Sequence, residues 1–405
     1  MGSDSAPRHS QQLSDRSASA EAATLDIALP ASGLGSSPPA AIVVAAPAAA
    51  QPRISEIQAP EEDERLEPWL AHVSVLVHLA AFAILGVLIR YGLEILFGPE
   101  VAHVTDDEQT VFIDLPANIV GCFIMGVVGV AAKRHISAYS EHLAIGLATG
   151  LCGSITTFAS WNQRMLAILA SGLWVRALAG YIVGAALPFV SLMAGIDLAD
   201  GIRWQLKRAN ERRAARNQPA IRAPRSDHFD RRWASLLLFF CVSVFLATGA
   251  AIGTALDDSS NKTRRLWFAC LIAAPGAWVR WYLSWLNGGA VGKGRWWQWV
   301  PVGTVATNVT ASVLEAALST VVLAYNNETS ILVVGAVQLG FLGCMSTVST
   351  LMVEVLALHK AKTGRCWRPY CYLYLLTILP SFLGGILVYC VPVWALNYTS
   401  KYNHL

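Results

Sequence analysis

From about residue 70 onward the chain alternates between long apolar runs and short polar connections. The runs fall at 70–97, 111–132, 142–170, 174–197, 233–256, 267–287, 298–325, 330–358 and 369–396. An α-helix rises 1.5 Å per residue, so roughly 20 apolar residues cross a hydrocarbon core about 30 Å thick. The pattern predicts an all-α polytopic membrane protein with nine spans. Residues 1–65 break it. They are rich in Ala, Ser, Pro and Gln, and an acidic run, Glu61 to Glu67, follows at their end. Such a segment buries too little apolar surface to fold, and a disordered tail is expected. It has no positive n-region followed by an apolar h-region, so no cleaved signal peptide is expected.

Hydrophobic residues make up 54% of the 405 and charged ones 14%. Soluble proteins carry about 25% charged residues, which removes that class. The few charges orient the spans. Segment 198–232 holds ten Arg and Lys against four acids and reads as a basic cytoplasmic loop. The connections 133–141, 288–297 and 359–368 are basic too, and all four share one side if the N-terminus is cytoplasmic. The other side receives Asn-X-Thr sequons at Asn261 and Asn327, and a third at Asn397 in the C-terminal tail, 397–405. Glycan acceptors belong outside, so both signals predict an extracellular C-terminus. Sequons also arise by chance, as at Asn308 inside a span. Seven of the eight cysteines lie in or beside spans, with Cys366 in a connection, which suits small hydrophobes better than a disulfide framework.

Sliding the chain 190 residues against itself reveals a repeat. Arg90 of "LGVLIRYGL" meets Arg280 of "PGAWVRWYL", and Asn118 of "LPANIVGCF" meets Asn308 of "TVATNVTAS". "GLCGSITTFAS" meets "GFLGCMSTVST", pairing Gly153 with Gly343, Thr156 with Ser346 and Thr157 with Thr347; Ser191 meets Ser381. One gapless offset fits four spans in each half, 70–197 and 267–396. The span 233–256 lies outside the repeat. Four spans return the chain to its starting side, so this one extra crossing inverts the second half. The prediction is a 4+1+4 inverted repeat, an architecture that places sites near the bilayer midplane on interrupted helices. The third span of each half carries the interruption, at Gly150–Ser154 and Gly340–Ser346. Irregular backbone at that depth is tolerated only inside protein or beside a wet cavity.

The Arg-bearing first span, the Asn of the second, the third span "GLCGSITTFASW" and the polar fourth span resemble the Fluc (CrcB) fluoride channels. The fused form with one linking helix is similar to the eukaryotic fluoride exporters called FEX. The resemblance covers about residues 70–396. It implies passive, fluoride-selective conduction, no enzymatic activity, and a structural Na⁺ held by backbone oxygens of Gly153, Thr156, Gly343 and Ser346. It makes fluoride and the bilayer the expected partners, with no nucleic acid; the closed repeat makes a single chain acting as a pseudo-dimer the default, and a single-chain fusion with sequons points to a plasma membrane. No nucleotide-binding motif is present.

Fluoride is small and strongly hydrated, so a pore must replace its water with donors yet release it. Asn118 and Asn308 carry amide N–H, and Thr157, Thr347, Ser191 and Ser381 carry O–H. Phe158 and Trp161 match the family's two phenylalanines, and an aromatic edge is positive. Tyr181 approximates the family's pore tyrosine; its repeat equivalent is Cys371, between Tyr370 and Tyr372. Arg90 and Arg280 are expected at opposite vestibules, raising local anion concentration. Each residue also has a plainer reading: glycine for packing, Asn as interhelical glue, Arg snorkelling, Ser bonding its own helix.

The halves are unequal. Val348 and Leu351 stand opposite Phe158 and Trp161 in the repeat, and Ala311 and Ala316 replace Gly121 and Gly126. One working pathway and one degenerate pathway are expected. Glu315 and Glu354 fall opposite Met125 and Arg164. Glu354 and Arg164 either pair across the pseudo-axis or each lie near an interface. A proton-coupled anion carrier is the main rival and would need Glu315 or Glu354. A cation-drug exporter would need a deep carboxylate in the first half, and a scaffold would act through its tails.

Overall fold

The computed structural model describes residues 67–107, 109–219, 230–257, 261–288, 298–361 and 365–398. The 1–65 tail lies outside the described residues, as do 220–229 and the last residues from 399. Among the described residues every regular element is helical. Among the described residues, eight helices are long and apolar enough to cross a membrane: α1 (Pro68–Phe97), α4 (Glu141–Ala170), α5 (Trp174–Ala214), α6 (Trp233–Leu256), α7 (Asn261–Leu286), α8 (Val302–Tyr325), α9 (Glu328–Lys360) and α10 (Arg368–Ala395). The ninth candidate is α2 (Leu115–Ala131), which bends by 66° into α3 (Lys133–Tyr139).

The ends are set by local chemistry. Pro68 and Pro116 sit in the first turns of α1 and α2, where a missing N–H costs nothing. The Ser140 hydroxyl accepts from Leu143 N at 3.2 Å and starts α4. The Asn327 side chain accepts from Ser330 N at 2.8 Å and starts α9, so this sequon asparagine is a helix cap.

One expectation fails. Segment 198–232 does not begin as a loop, because α5 runs 41 residues and ends at Ala214. Its extension "RWQLKRANERRA" is built of strong helix formers, with no Gly or Pro between Gly201 and Pro219. Asn217, at φ 54°, and Pro219 lie beyond its end.

The halves meet through their first spans. α1 packs along α7, its repeat equivalent, with Ala83, Ala269, Ala273 and Ala277 fully buried at this seam. Small side chains bring helices close, which is what drives association in lipid. α6 lies across α1 and α7 and is otherwise exposed, as a linking helix facing acyl chains should be. A second apolar cluster joins α2, α4 and α5 of the first half to α8, α9 and α10 of the second. The broken spans α4 and α9 lie between these two packed regions.

Candidate functional site

α4 leaves helical geometry at Thr156 (φ −89°, ψ 144°) and resumes at Ala159. α9 does the same at Ser346 (φ −82°, ψ 161°) and resumes at Ser349. Each break strands the amides of a new helix start, and the other repeat satisfies them. The Ser346 hydroxyl accepts from Phe158 N at 3.2 Å and Ala159 N at 3.1 Å. Reciprocally, the Thr156 hydroxyl accepts from Val348 N at 3.3 Å and Ser349 N at 3.1 Å. The breaks therefore cap one another. Thr157 and Ser346 hydroxyls lie 3.3 Å apart, as do those of Thr156 and Thr347.

Asn118 and Asn308 clamp the breaks from α2 and α8. Asn118 Nδ2 donates to Thr157 O at 3.1 Å, and its Oδ1 accepts from Thr157 N at 2.8 Å. Asn308 repeats this with Thr347 at 3.0 and 2.8 Å. Both are fully buried. Each thus spends its carbonyl and one amide hydrogen on backbone, where the sequence had suggested donation to an anion.

The arginines also depart from expectation. Neither opens on a vestibule, since Arg90 is 1% exposed and Arg280 4%. Each reaches into the other repeat. Arg280 Nη1 donates to Gly153 O at 2.7 Å and Ser346 O at 3.1 Å, and Nη2 donates to Thr149 O. Arg90 Nη2 donates to Leu339 O. A Cβ at Gly153 would lie 2.5 to 2.9 Å from the Arg280 guanidinium, and one at Gly343 would overlap that of Arg90. These glycines are bare so that the arginines can enter. The resemblance would hold Na⁺ on backbone oxygens of Gly153, Thr156, Gly343 and Ser346, hard donors of the right chemistry. Yet two of those carbonyls already receive Arg280, so a sodium ion does not fit beside the seated guanidinium.

The aromatic residues gather in the first repeat. The Phe158 and Trp161 rings form a T-shaped pair, 5.5 Å between centroids and 81° between planes. Trp161 lies 5.7 Å from Tyr181, whose ring meets Phe382 of α10 edge-on at 5.7 Å. Phe112, outside the span motif, stacks on Trp161 at 6.2 Å and 6°. Asn162 bridges the halves: its Oδ1 accepts from Tyr181 OH at 2.7 Å, and its Nδ2 donates to Ser381 O at 3.4 Å. Sequence reasoning missed Phe112, Asn162 and Phe382. Asn162 falls opposite Met352 in the repeat, so self-comparison carried no signal for it. Ser191 Oγ donates across to Ile119 O of α2 at 2.8 Å, whereas Ser381 Oγ donates to Thr377 O of its own helix at 2.8 Å.

Val348 and Leu351 are buried and aliphatic. Nearby, Glu354 accepts from Tyr372 OH at 2.5 Å, Thr304 Oγ1 at 2.7 Å and Asn287 Nδ2 at 3.2 Å. Glu354 does not pair with Arg164. Arg164 instead meets Asp107 at 2.9 Å and Asp114 at 3.8 Å, tying the loop after α1 to α4. Burial pushes the Asp107 carboxyl up from its ordinary range, and the Arg164 charge pulls it back down. Glu315 is buried on α8, and its Oε2 has no hydrogen-bond partner among the described residues.

A family model described as CrcB-like protein, Camphor Resistance (CrcB), matches residues 77–196 and again 267–391. The chain is similar to the "Fluoride-specific ion channel FluC" of Salinibacter ruber, 34% identical over 128 residues, or 31% of this chain and 88% of the relative. It is 29% identical over 128 residues to the protein of that name from Ignicoccus hospitalis, covering 31% of this chain and 96% of the relative. No solved structure matches significantly. Two family matches in one chain, together spanning more than half of it, on two copies of the same broken-span geometry, show that the chain belongs to the CrcB family as a double-domain fusion.

Proposed function

We propose that the chain is a passive fluoride-selective channel that carries fluoride out of the cytoplasm through one working pathway, beside the first-repeat aromatics. The second pathway is degenerate. The observation that carries this reading is the edge-on Phe158–Trp161 pair, followed by Tyr181, Asn162 and Ser381. Ring edges and hydroxyls offer positive hydrogens to a small anion without admitting bulk water. The relatives' printed name supports fluoride as the ion. No pump is needed. Hydrogen fluoride crosses lipid neutral and dissociates inside, and an inside-negative potential expels the anion by about 2.3 kcal/mol per 100 mV. A plasma membrane, a cytoplasmic N-terminus and a single chain acting as its own pseudo-dimer complete the reading.

Proteoliposomes with valinomycin and K⁺ setting the potential test it. Rapid fluoride efflux, without chloride efflux and without a pH gradient, is expected. Efflux that appears only with a proton gradient favours a coupled carrier, for which the buried, half-unpartnered Glu315 is the proton site.

A further inference from the structure

We infer that the cation at the crossing of the two breaks is the protein's own: the Arg280 guanidinium holds the place of a sodium ion, and the fold needs no sodium. Three observations carry this. First, Arg280 Nη1 bridges a carbonyl from each repeat, Gly153 O at 2.7 Å and Ser346 O at 3.1 Å. Those are two of the four oxygens a cage at this crossing would use. Second, the fit is built in. Gly153 lacks the Cβ that would lie 2.6 Å from Arg280 Cζ, so the backbone makes room for a planar guanidinium. Third, the charge is balanced by backbone alone. Among the described residues no carboxylate lies within ion-pair reach of Arg280, whereas Arg90 has Glu94 at 3.8 Å. The first arms of α4 and α9 end at Ile155 and Met345, so the negative ends of both face the crossing. A bound Na⁺ would use the same dipoles and oxygens, and it would meet a like charge at contact distance.

The arrangement is asymmetric. Arg90 reaches Leu339 O through Nη2 but leaves Nη1 without a hydrogen-bond partner. Among the described residues, Arg280 alone bridges both breaks. The inference is independent of which anion the chain carries.

The test is thermal unfolding of the purified full chain in detergent, with chloride salts of Na⁺, K⁺ or N-methylglucamine at equal ionic strength. Wild type should melt at the same temperature in all three. A saturable rise specific to Na⁺ overturns the inference, because ligands that bind only the native state raise its melting point. Arg280→Ala frees the carbonyls and should acquire such a Na⁺-specific rise, while Arg280→Lys, which keeps a charge there, should not. An Arg280→Ala protein that folds yet ignores Na⁺ also counts against it. If that variant does not fold, the wild-type titration decides alone. Fluoride efflux should persist in sodium-free vesicles. Efflux that requires Na⁺ overturns this inference and leaves the channel reading standing, whereas no efflux in any salt strikes the channel reading only.

Discussion

The hydroxyl of Ser346 accepts a hydrogen bond from the amide of Ala159 at 3.1 Å, so a residue of the second repeat starts a helix of the first. Thr156 does the same for Ser349. The two breaks are one structure shared by both halves, each capping the other's new helix start. Removing the hydroxyl with Ser346→Ala or Thr156→Ala leaves buried amides unpaired, at a cost of about 1–3 kcal/mol. Each should lower the melting temperature. Ser346→Thr, which copies the equivalent position, should restore most of it.

Asn118 and Asn308 make matching clamps on Thr157 and Thr347. Asn118→Ala and Asn308→Ala should therefore destabilise the fold alike, by about 2–4 kcal/mol for two lost buried bonds. Melting curves of the two variants check this. A large loss in one and none in the other would show that the clamps are not equivalent.

The aromatic cluster breaks the symmetry that the clamps keep. Phe158→Ile should reduce fluoride efflux roughly tenfold or more, a barrier change of about 1.4 kcal/mol. Val348→Ala and Leu351→Ala should leave the rate per folded protein near wild type. Equal losses from both sets in the efflux assay would mean that both pathways conduct.

Arg164 and Glu354 occupy equivalent repeat positions with opposite charge, yet their partners differ. Arg164→Glu with Glu354→Arg should not rescue either single change. Arg164→Asp should instead be partly rescued by Asp107→Arg, since that pair meets directly at 2.9 Å. Folded yield after detergent extraction reads both cycles.

Much of the site was legible in the residues. The 190-residue offset pairs Thr156 with Ser346, and a helix breaks at each; the first break begins just past the expected Gly150–Ser154, which stays helical because its backbone groups still find partners within the turn. What the offset did not carry is partnership. It aligned Arg280 with Arg90, but not Arg280 with Gly153, the contact it makes. It gave no weight to Phe112 or Asn162, which fall opposite the unlike Val302 and Met352 and gain their roles from a stack on Trp161 and a hydrogen bond from Tyr181.

The chain by itself determined the apolar runs, the duplication and the presence of one interruption in the third span of each half, though not the residue at which the first one starts. Those follow from apolar run length, from the parity of crossings and from local backbone chemistry, all of which act along the sequence. Only the tertiary structure decided what the interruptions are for. Freed amides, carbonyls and guanidinium groups cannot find water within the bilayer, so each must find a partner in space. The inverted axis supplies that partner from the opposite repeat. A different cause carries α5 past its expected end: beyond the apolar run water satisfies its charged side chains, and helix propensity continues it to Ala214.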